Sequence, residues 1–255
     1  MPRQRGKLAT LHKAVLKGEE VLCKVIYSDR INNFLVEDFL ETVVKLSFSP
    51  VKANLMPVLG YFFDEQAFYL FTPQKISLYT LLHEFETSRR PIDLHKFFII
   101  EILFALHSVD PSIIHGHISS HNIFVEPDFQ HNYKVYLGDM ELSPFIKFGT
   151  LFCDYQPWSV WSSPEILSQA PKILEPTKQM DSYSFGMLLW EIFHNQVPFG
   201  NDLALTRDYV LKQHARPQIS ENVGAELAKL IRLCWLTNPD QRFQFSSIYS
   251  KLRQE

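Results

Sequence analysis

The sequence predicts an α+β fold with two lobes, a small β-rich lobe over residues 1–75 and a larger α-helical lobe over residues 76–255. Three observations support this prediction. Short apolar runs typical of strands come first, one amphipathic helix pattern lies among them, and helical blocks separated by loops make up the remainder of the chain. With 46% hydrophobic residues, the chain can bury a core without disulfides or metals.

The small lobe is predicted from strand-like runs at residues 21–26, 58–63 and 68–71. Between the first two runs, Leu35, Phe39 and Val43 recur every four residues, so they lie on one face of a helix. Acidic residues Glu37 and Glu41 form a second row on another face of the same helix. One amphipathic helix is therefore expected to pack on a small sheet.

The large lobe is predicted from helical blocks at residues 94–108, 181–194 and 225–236. Loops rich in proline, serine and asparagine separate these blocks. The segment 138–164 is a long connection with irregular patterning. Because long loops in compact domains are usually functional or disordered, this segment is a candidate functional region.

The charge balance favours neither nucleic acid nor an anionic membrane as a partner. With 25 basic and 28 acidic residues, the net charge of −3 gives no strong field for nucleic acid or an anionic membrane. The longest apolar stretch, 97–106, is interrupted by Glu101 and is about half the length that a bilayer crossing needs. The sequence therefore predicts no nucleic-acid partner and no membrane span.

The cysteines and the first residues bear on location. Cys23, Cys153 and Cys234 are scattered and form no Cys-x-x-Cys pair, which favours a reducing compartment, so we expect a cytoplasmic protein. The first eighteen residues are basic and contain no acid, as in a transit peptide. Mitochondrial import thus stays open, although the same stretch is equally compatible with entry into a sheet.

Several motifs occur in an order that resembles the protein kinase family. Residues 161–165, Trp-Ser-Ser-Pro-Glu, resemble the Ala-Pro-Glu that closes an activation segment. Residues 181–199 are similar to the central helix of the kinase C-lobe and the turn after it, and 234–242 resemble the last block of the tyrosine-kinase-like group. Residues 55–60 and 77–84 resemble integrin-linked kinase most, in its kinase-like domain only and without ankyrin repeats. The resemblance implies a bilobal protein-kinase-like fold.

Phosphoryl transfer requires a glycine loop over the phosphates and a lysine paired with an acid. The loop is expected ten to twenty residues before Lys24, at residues 8–15, where the sequence has no glycine. Gly18 is predicted in a hairpin turn instead. Lys24 resembles the phosphate-binding lysine, with Glu41 as its predicted partner and Glu37 as the alternative. Lys24 could also be an edge lysine that keeps the sheet soluble.

The catalytic loop, usually His-Arg-Asp with asparagine five residues later, here covers residues 115–122. The resemblance puts Gly116 at the arginine position, His117 at the catalytic base and Ser119 two residues further. A positioned base contributes about 10²–10⁴ in rate, so its loss predicts little activity. His117 as an unusual base and a zinc site made of three histidines are the alternatives.

Two metal-binding positions are kept in recognisable form. Asn122 matches the metal-binding asparagine, and residues 139–141, Asp-Met-Glu, keep Asp139 while Glu141 replaces glycine. Each residue could instead serve only local hydrogen bonds. The backbone N–H that usually bonds adenine falls near Pro73, which has none.

The residues that maintain the fold are better kept. The resemblance implies that Glu165 and Arg242 form a buried ion pair and that Asp181 holds the backbone of the catalytic loop. The sequence thus keeps structural groups while several catalytic ones are replaced. This contrast predicts a chain whose shape is retained and whose chemistry is weakened.

From these substitutions we predict a catalytically inactive pseudokinase and not an enzyme, acting as a scaffold or structural subunit that binds one or more proteins. No cofactor would then be required. The candidate residues for a remaining ATP and Mg²⁺ site are Lys24, Glu41, Asn122 and Asp139. The alternative is a nucleotide-binding allosteric switch or a very weak Ser/Thr kinase.

Overall fold

The computed structural model describes residues 9–27, 33–64, 67–85, 92–109, 112–127, 133–146, 159–168 and 175–247. Cys153, most of the predicted long loop and the first eight residues lie outside these ranges.

A four-stranded antiparallel sheet forms the small lobe, in the order β1-β2-β4-β3. Its strands are β1 (Thr10–Leu16), β2 (Glu19–Tyr27), β3 (Gly60–Phe63) and β4 (Ala67–Pro73). Lys17 and Gly18 join β1 to β2 in a tight turn with φ of 53° and 88°. The positive φ explains a glycine at position 18, as the sequence predicted.

Residues 10–16 form β1, so the segment in which the glycine loop was expected is a paired strand. Its residues lie opposite β2, with Leu11 opposite Lys24. A loop covering phosphates therefore does not lie at residues 10–16. Residues before Ala9 are outside the described ranges.

Helix α1 (Asn33–Ser47) packs on this sheet through its apolar row. Phe39 is fully buried and meets Phe68 of β4 edge-to-face at 4.8 Å between ring centroids. Leu35 and Val36 join the same cluster. The helix predicted over residues 35–43 is confirmed and is longer at both ends.

A second, separate sheet has three strands. It contains β5 (Ile76–Ser77), β6 (Ile123–Pro127) and β7 (Tyr133–Leu137), in that order and antiparallel. A single parallel bridge joins Leu55 to Leu137. This sheet positions the loop at residues 115–122 before β6 and the turn at residue 138 after β7.

The large lobe is helical. Its helices are α2 (Leu78–His83), α3 (Ile92–Ser108), α4 (Pro164–Leu167), α5 (Lys178–His194), α6 (Leu203–Arg207) and α7 (Ala225–Cys234). Short 3-10 turns cover Lys52–Asn54, Ser120–Asn122, Met140–Leu142, Pro198–Asn201 and Pro239–Gln241, and a π turn covers Asp208–Lys212.

Helix α5 is the centre of the large lobe. The Thr177 side chain caps it by accepting from the Met180 N–H, and every residue from Met180 to Ile192 is buried. Gly186 lets α7 approach closely, because a Cβ there would lie 2.7 Å from Cβ of Cys234. Because α5 is buried on every side, its apolar residues are not confined to one face and its sequence has little amphipathic pattern.

The two-lobed α+β prediction is confirmed.

Cys23 and Cys234 are free and buried, and burial raises the pKa of both thiols. In the part of the chain that the structure describes, no helix combines the length and the apolarity that crossing a bilayer would require.

Candidate functional site

The site lies where strand β2 meets the loop at residues 115–122 and the turn at residues 138–141. Lys24 of β2 is 4% exposed and forms an ion pair with Asp139. Its ammonium also lies 5.9 Å from the centre of the Phe124 ring. Burial lowers the pKa of Lys24, and the Glu141 carboxylate opposes that shift. Lys24 is thus a buried cation between two acids, not an edge lysine in solvent.

Glu41 is not the partner of Lys24. It is 65% exposed and forms an ion pair with Lys45, one turn further along α1, at 2.9 Å. Glu37 is exposed as well. The predicted pairing of Lys24 with Glu41 is therefore absent, and Asp139 takes that place.

The physical reason is the turn that follows Asp139. Leu142 and Phe145 are buried in the apolar cluster under α1, where the Phe145 ring lies 5.9 Å from Phe39 and 4.7 Å from Phe68. The inner surface of α1 therefore makes apolar contacts, and its acidic row faces solvent.

Asp139 has a left-handed backbone, with φ of 65° and ψ of 8°. Such a conformation is uncommon for residues other than glycine but is tolerated by aspartate. Glu141, at the usual glycine position, does not have a positive φ. The strain of the turn thus falls on Asp139, and the chain accommodates a glutamate at position 141.

Glu141 is a buried acid beside the cleft. It is 2% exposed, and its Oε1 has no hydrogen-bond partner among the described residues. Burial raises the pKa of Glu141, and the charge of Lys24 opposes this. The cleft therefore contains two acidic side chains close to one lysine.

The loop at residues 115–122 begins on two hydrogen bonds to Asp181. The Asp181 carboxylate accepts hydrogen bonds from the His115 N–H at 2.9 Å and from the Gly116 N–H at 2.8 Å. Asp181 is 1% exposed, and burial raises its pKa to about 6. Gly116 has φ of 71°, a backbone conformation that favours glycine. Glycine at the usual arginine position therefore fits the path of the backbone in this loop.

The histidines of this loop are neutral at physiological pH. Burial lowers the pKa of His115 to about 3, and burial together with the nearby His121 and Lys24 lowers that of His117 to about 4. The His115 Nδ1 accepts from the His117 N–H at 3.3 Å. Within the described ranges, no group of three or more His, Cys, Asp or Glu could hold a metal ion, so the zinc alternative has no support there.

Asn122 connects the base position to the metal position. Its Nδ2 donates to the His117 carbonyl at 2.8 Å, and its own carbonyl accepts from the Gly138 N–H at 2.8 Å, next to Asp139. Its amide oxygen is the atom that would coordinate a cation. Ser119 is buried, and its carbonyl accepts from the Asn122 N–H at 3.0 Å.

Pro73 is the last residue of β4, opposite Val21, and β5 begins at Ile76. Residues 74–75 thus link the two lobes. They directly follow Pro73, which has no N–H to donate.

Glu165 and Arg242 form a bidentate ion pair, with Nη1 to Oε1 at 2.5 Å and Nη2 to Oε2 at 2.8 Å. The Arg242 side chain is fully buried and also donates to the carbonyls of Leu236 and Gln179. This pair joins the start of α4 to the end of the chain's described part.

Sequence reasoning missed Glu191. It is fully buried in α5 and accepts hydrogen bonds from Ser120, Trp161 and His83. A signal was present, because the residue is a charged side chain inside the apolar run 188–192. Buried charges in such runs require several partners.

Comparison with known proteins gives a consistent result. Residues 4–252 match the family model described as protein tyrosine and serine/threonine kinase. The serine/threonine-protein kinase CTR1 of Arabidopsis thaliana is 27% identical over 97% of this chain and 30% of its own length. The dual specificity protein kinase pyk3 of Dictyostelium discoideum is 27% identical over 97% of the chain and 18% of its own.

The serine/threonine-protein kinase TNNI3K of Rattus norvegicus is 29% identical over 70% of the chain and 21% of its own length. The chain spans less than a third of the length of these relatives.

These matches contradict two predictions from the sequence. The chain was expected to be no enzyme and to act as an inactive scaffold, yet the family and the relatives are named as kinases. The expectation that no cofactor is required loses its support for the same reason, since the family uses ATP with Mg²⁺. The substitutions at Gly116 and His117 thus cannot by themselves identify an inactive chain.

Proposed function

Because the chain belongs to the protein tyrosine and serine/threonine kinase family, we propose that it binds ATP with Mg²⁺ and transfers phosphate slowly to serine or threonine hydroxyls. The observation that carries the proposal is the grouping of Lys24, Asp139 and Asn122 around one turn. These are a cation for phosphate and two oxygen ligands for a metal ion.

The residues fit this ligand pair. Bound ATP with Mg²⁺ supplies the phosphoryl group and the cationic charge that stabilises its transfer. Lys24 would hold the phosphates, while the Asp139 carboxylate and the Asn122 amide oxygen would hold the metal. The ion pair between Lys24 and Asp139 has to open first, so ligand binding competes with a buried contact.

His117 supports slow transfer. With a pKa lowered to about 4, its ring is neutral at pH 7 and is able to accept the hydroxyl proton. The negative charge that a carboxylate would place beside the hydroxyl is lost, which lowers the rate.

A nucleotide-dependent switch is the second candidate for the same site. The turn that begins at Asp139 continues directly into Leu142 and Phe145 under α1. Any ligand that moves Asp139 would therefore change the support of α1. This coupling favours a signalling role for nucleotide binding in addition to slow transfer.

Other expectations stay proposals. We propose one or more protein partners, a cytoplasmic location and a kinship with integrin-linked kinase, which the motifs at residues 55–60 and 77–84 support. The substrates and activity of the whole protein are proposals too, since the relatives are much longer.

The test of ligand binding is a thermal unfolding titration with ATP and Mg²⁺. Binding to the folded state raises the unfolding temperature, and chelation of Mg²⁺ should remove the gain. Asp139→Asn should weaken the shift, whereas Asp202→Asn, a helix cap in the large lobe, should shift as the wild type does. No shift at millimolar ATP would refute the proposal.

A further inference from the structure

Glu141 is a buried acid with an unused hydrogen-bond acceptor. The residue is 2% exposed, and its Oε1 atom has no hydrogen-bond partner among the described residues. Buried polar atoms are nearly always hydrogen-bonded, so each exception calls for a physical reason. An isolated carboxylate is unstable in apolar surroundings, and the reason is therefore to be sought in a cation nearby.

Lys24 is the cation that acts on this carboxylate. Burial raises the pKa of Glu141, and the charge of Lys24 acts against this shift. Burial likewise lowers the pKa of Lys24, and the Glu141 carboxylate opposes that shift. Yet the Lys24 ammonium donates its hydrogen bond to Asp139 and not to Glu141. One buried cation is thus shared between two acids, and only one of them makes the contact.

The turn at residues 139–142 keeps the two acids close together in the chain. Met140 and Leu142 are both buried, so apolar packing holds the backbone on either side of Glu141. Glu141 has no positive φ, and the backbone therefore sets no demand for glycine at this position. Because the backbone is packed, a change of partner for Lys24 would have to come from rotation of side chains.

The acids of α1 do not reach this lysine. Glu41 is exposed and forms its ion pair with Lys45, and Glu37 is exposed as well. Phe145 is buried under the helix, where its ring lies 5.9 Å from the Phe39 ring. The inner surface of α1 is thus occupied by apolar contacts, and the acid that remains for the lysine comes from the turn itself.

We propose that Glu141 is the second counter-ion of Lys24, which receives the ammonium when Asp139 turns to a bound metal ion. This inference rests on the proposed function, since Asp139 would leave the lysine in order to coordinate Mg²⁺. A buried lysine that loses its only partner keeps a large desolvation penalty. Glu141 removes this penalty and is a positioning residue, because it acts on the phosphates through Lys24. The role also gives a reason for glutamate at the usual glycine position.

A counter-ion and a packing residue respond differently when the charge is removed. In the protein without nucleotide, Lys24 is neutralised by Asp139, so loss of the Glu141 charge removes a buried acceptor that has no partner. This change should not lower the unfolding temperature. Once Asp139 is unavailable, the same change leaves Lys24 as an unpaired buried cation and becomes strongly destabilising. A residue needed only for packing would destabilise equally in both cases.

The first test uses the protein without nucleotide. Glu141→Gln, which keeps the shape of the side chain, is measured alone and together with Asp139→Asn. Alone, it should leave the unfolding temperature unchanged or raise it. Relative to Asp139→Asn, the double variant should lose roughly 5 °C or more, because Lys24 then has no acid beside it. Glu226→Gln, at an exposed position in the first turn of α7, is the matched control and should have no effect in either protein.

Lys24→Met checks the cause of that loss. Added to the double variant, it removes the unpaired cation and should recover most of the lost unfolding temperature. A loss that Lys24→Met does not recover would come from packing and would overturn the inference. A single Glu141→Gln variant that loses as much as the same change costs beside Asp139→Asn would overturn it too.

The second test measures the affinity for ATP with Mg²⁺ by thermal titration. Glu141→Gln should weaken it at least about tenfold, and Glu226→Gln should keep it within about twofold. Unchanged affinity in Glu141→Gln would overturn the inference, and a loss in Glu41→Gln in its place would assign the role to α1. If the wild type does not bind ATP, the proposed function fails separately, and the first test still decides about Glu141.

Discussion

Lys24 forms its ion pair with Asp139 and not with an acid of helix α1. The cation expected to hold phosphate and the anion expected to hold metal thus neutralise each other. Both are largely buried, so the pair is weakly screened by solvent. The nucleotide that we propose as a ligand would have to replace this contact, and the free energy needed to separate the pair would lower its affinity.

The first prediction concerns the base position. His117→Asp should raise the rate of phosphate transfer, because it restores a charged acceptor beside the hydroxyl. The gain is bounded by the about 10²–10⁴ that a positioned base contributes. The measurement is transfer of labelled phosphate to a Ser/Thr peptide mixture. His214→Asp, at an exposed position, is the control, and equal rates for both variants would contradict the role of His117.

The second prediction concerns stability and acid. The pKa of His117 is lowered to about 4 in the folded state from about 6.5 in the unfolded chain, so below pH 6.5 only the unfolded chain takes up the proton. The stabilisation from this neutral ring is complete above pH 6.5 and is lost as pH falls towards 4. It amounts to roughly 3 kcal/mol.

The test is the free energy of unfolding in urea between pH 4 and 7. His117→Asn should reduce the slope near pH 5 by about 1.4 kcal/mol per pH unit relative to the wild type, which corresponds to one proton. Asp181 acts in the opposite direction, since its pKa is raised to about 6, and it is common to both proteins. An unchanged slope would show that His117 is accessible to protons in the folded state.

The third prediction concerns the ion pair of the large lobe. Arg242→Ala should lower the free energy of unfolding by about 3–5 kcal/mol, because it leaves the Glu165 carboxylate without its cationic partner. Lys212→Ala breaks an ion pair with Asp208 that is exposed to solvent and screened by it, so it should cost far less. Urea denaturation measures both. Similar losses for the two variants would contradict the burial of Arg242.

The sequence was sufficient for the parts of the fold that follow local periodicity. The row of Leu35, Phe39 and Val43 predicted α1, and Gly18 predicted the turn between β1 and β2. Both depend on contacts or dihedral angles within a few residues. Motif order predicted the central place of α5, whose own sequence shows no single apolar face.

The partner of Lys24 could not be predicted in this way. It depends on the left-handed backbone of Asp139 and on the burial of Phe145 under α1, two features that arise from tertiary packing. The prediction of an inactive scaffold was wrong for another reason. It depended on the residue types at Gly116 and His117 alone, whereas the match to the kinase family extends over residues 4–252.

The fourth prediction concerns the packing of α5 against α7. Gly186→Ala should destabilise the protein by about 1–3 kcal/mol, because the added Cβ would lie 2.7 Å from Cβ of Cys234 and would overpack the interface. Gly60→Ala is the matched control, since nothing lies within 4 Å of a Cβ at that position. Equal unfolding temperatures would mean that the two helices separate easily.

The most direct test of phosphate transfer by this cleft is the transfer of a labelled γ-phosphate from ATP in the presence of Mg²⁺. The purified chain and its Asp139→Asn variant are prepared identically, with a Ser/Thr peptide mixture as acceptor. The account predicts slow, Mg²⁺-dependent labelling of serine or threonine that Asp139→Asn abolishes. Labelling that is absent in the wild type, or equal in the variant, would contradict it.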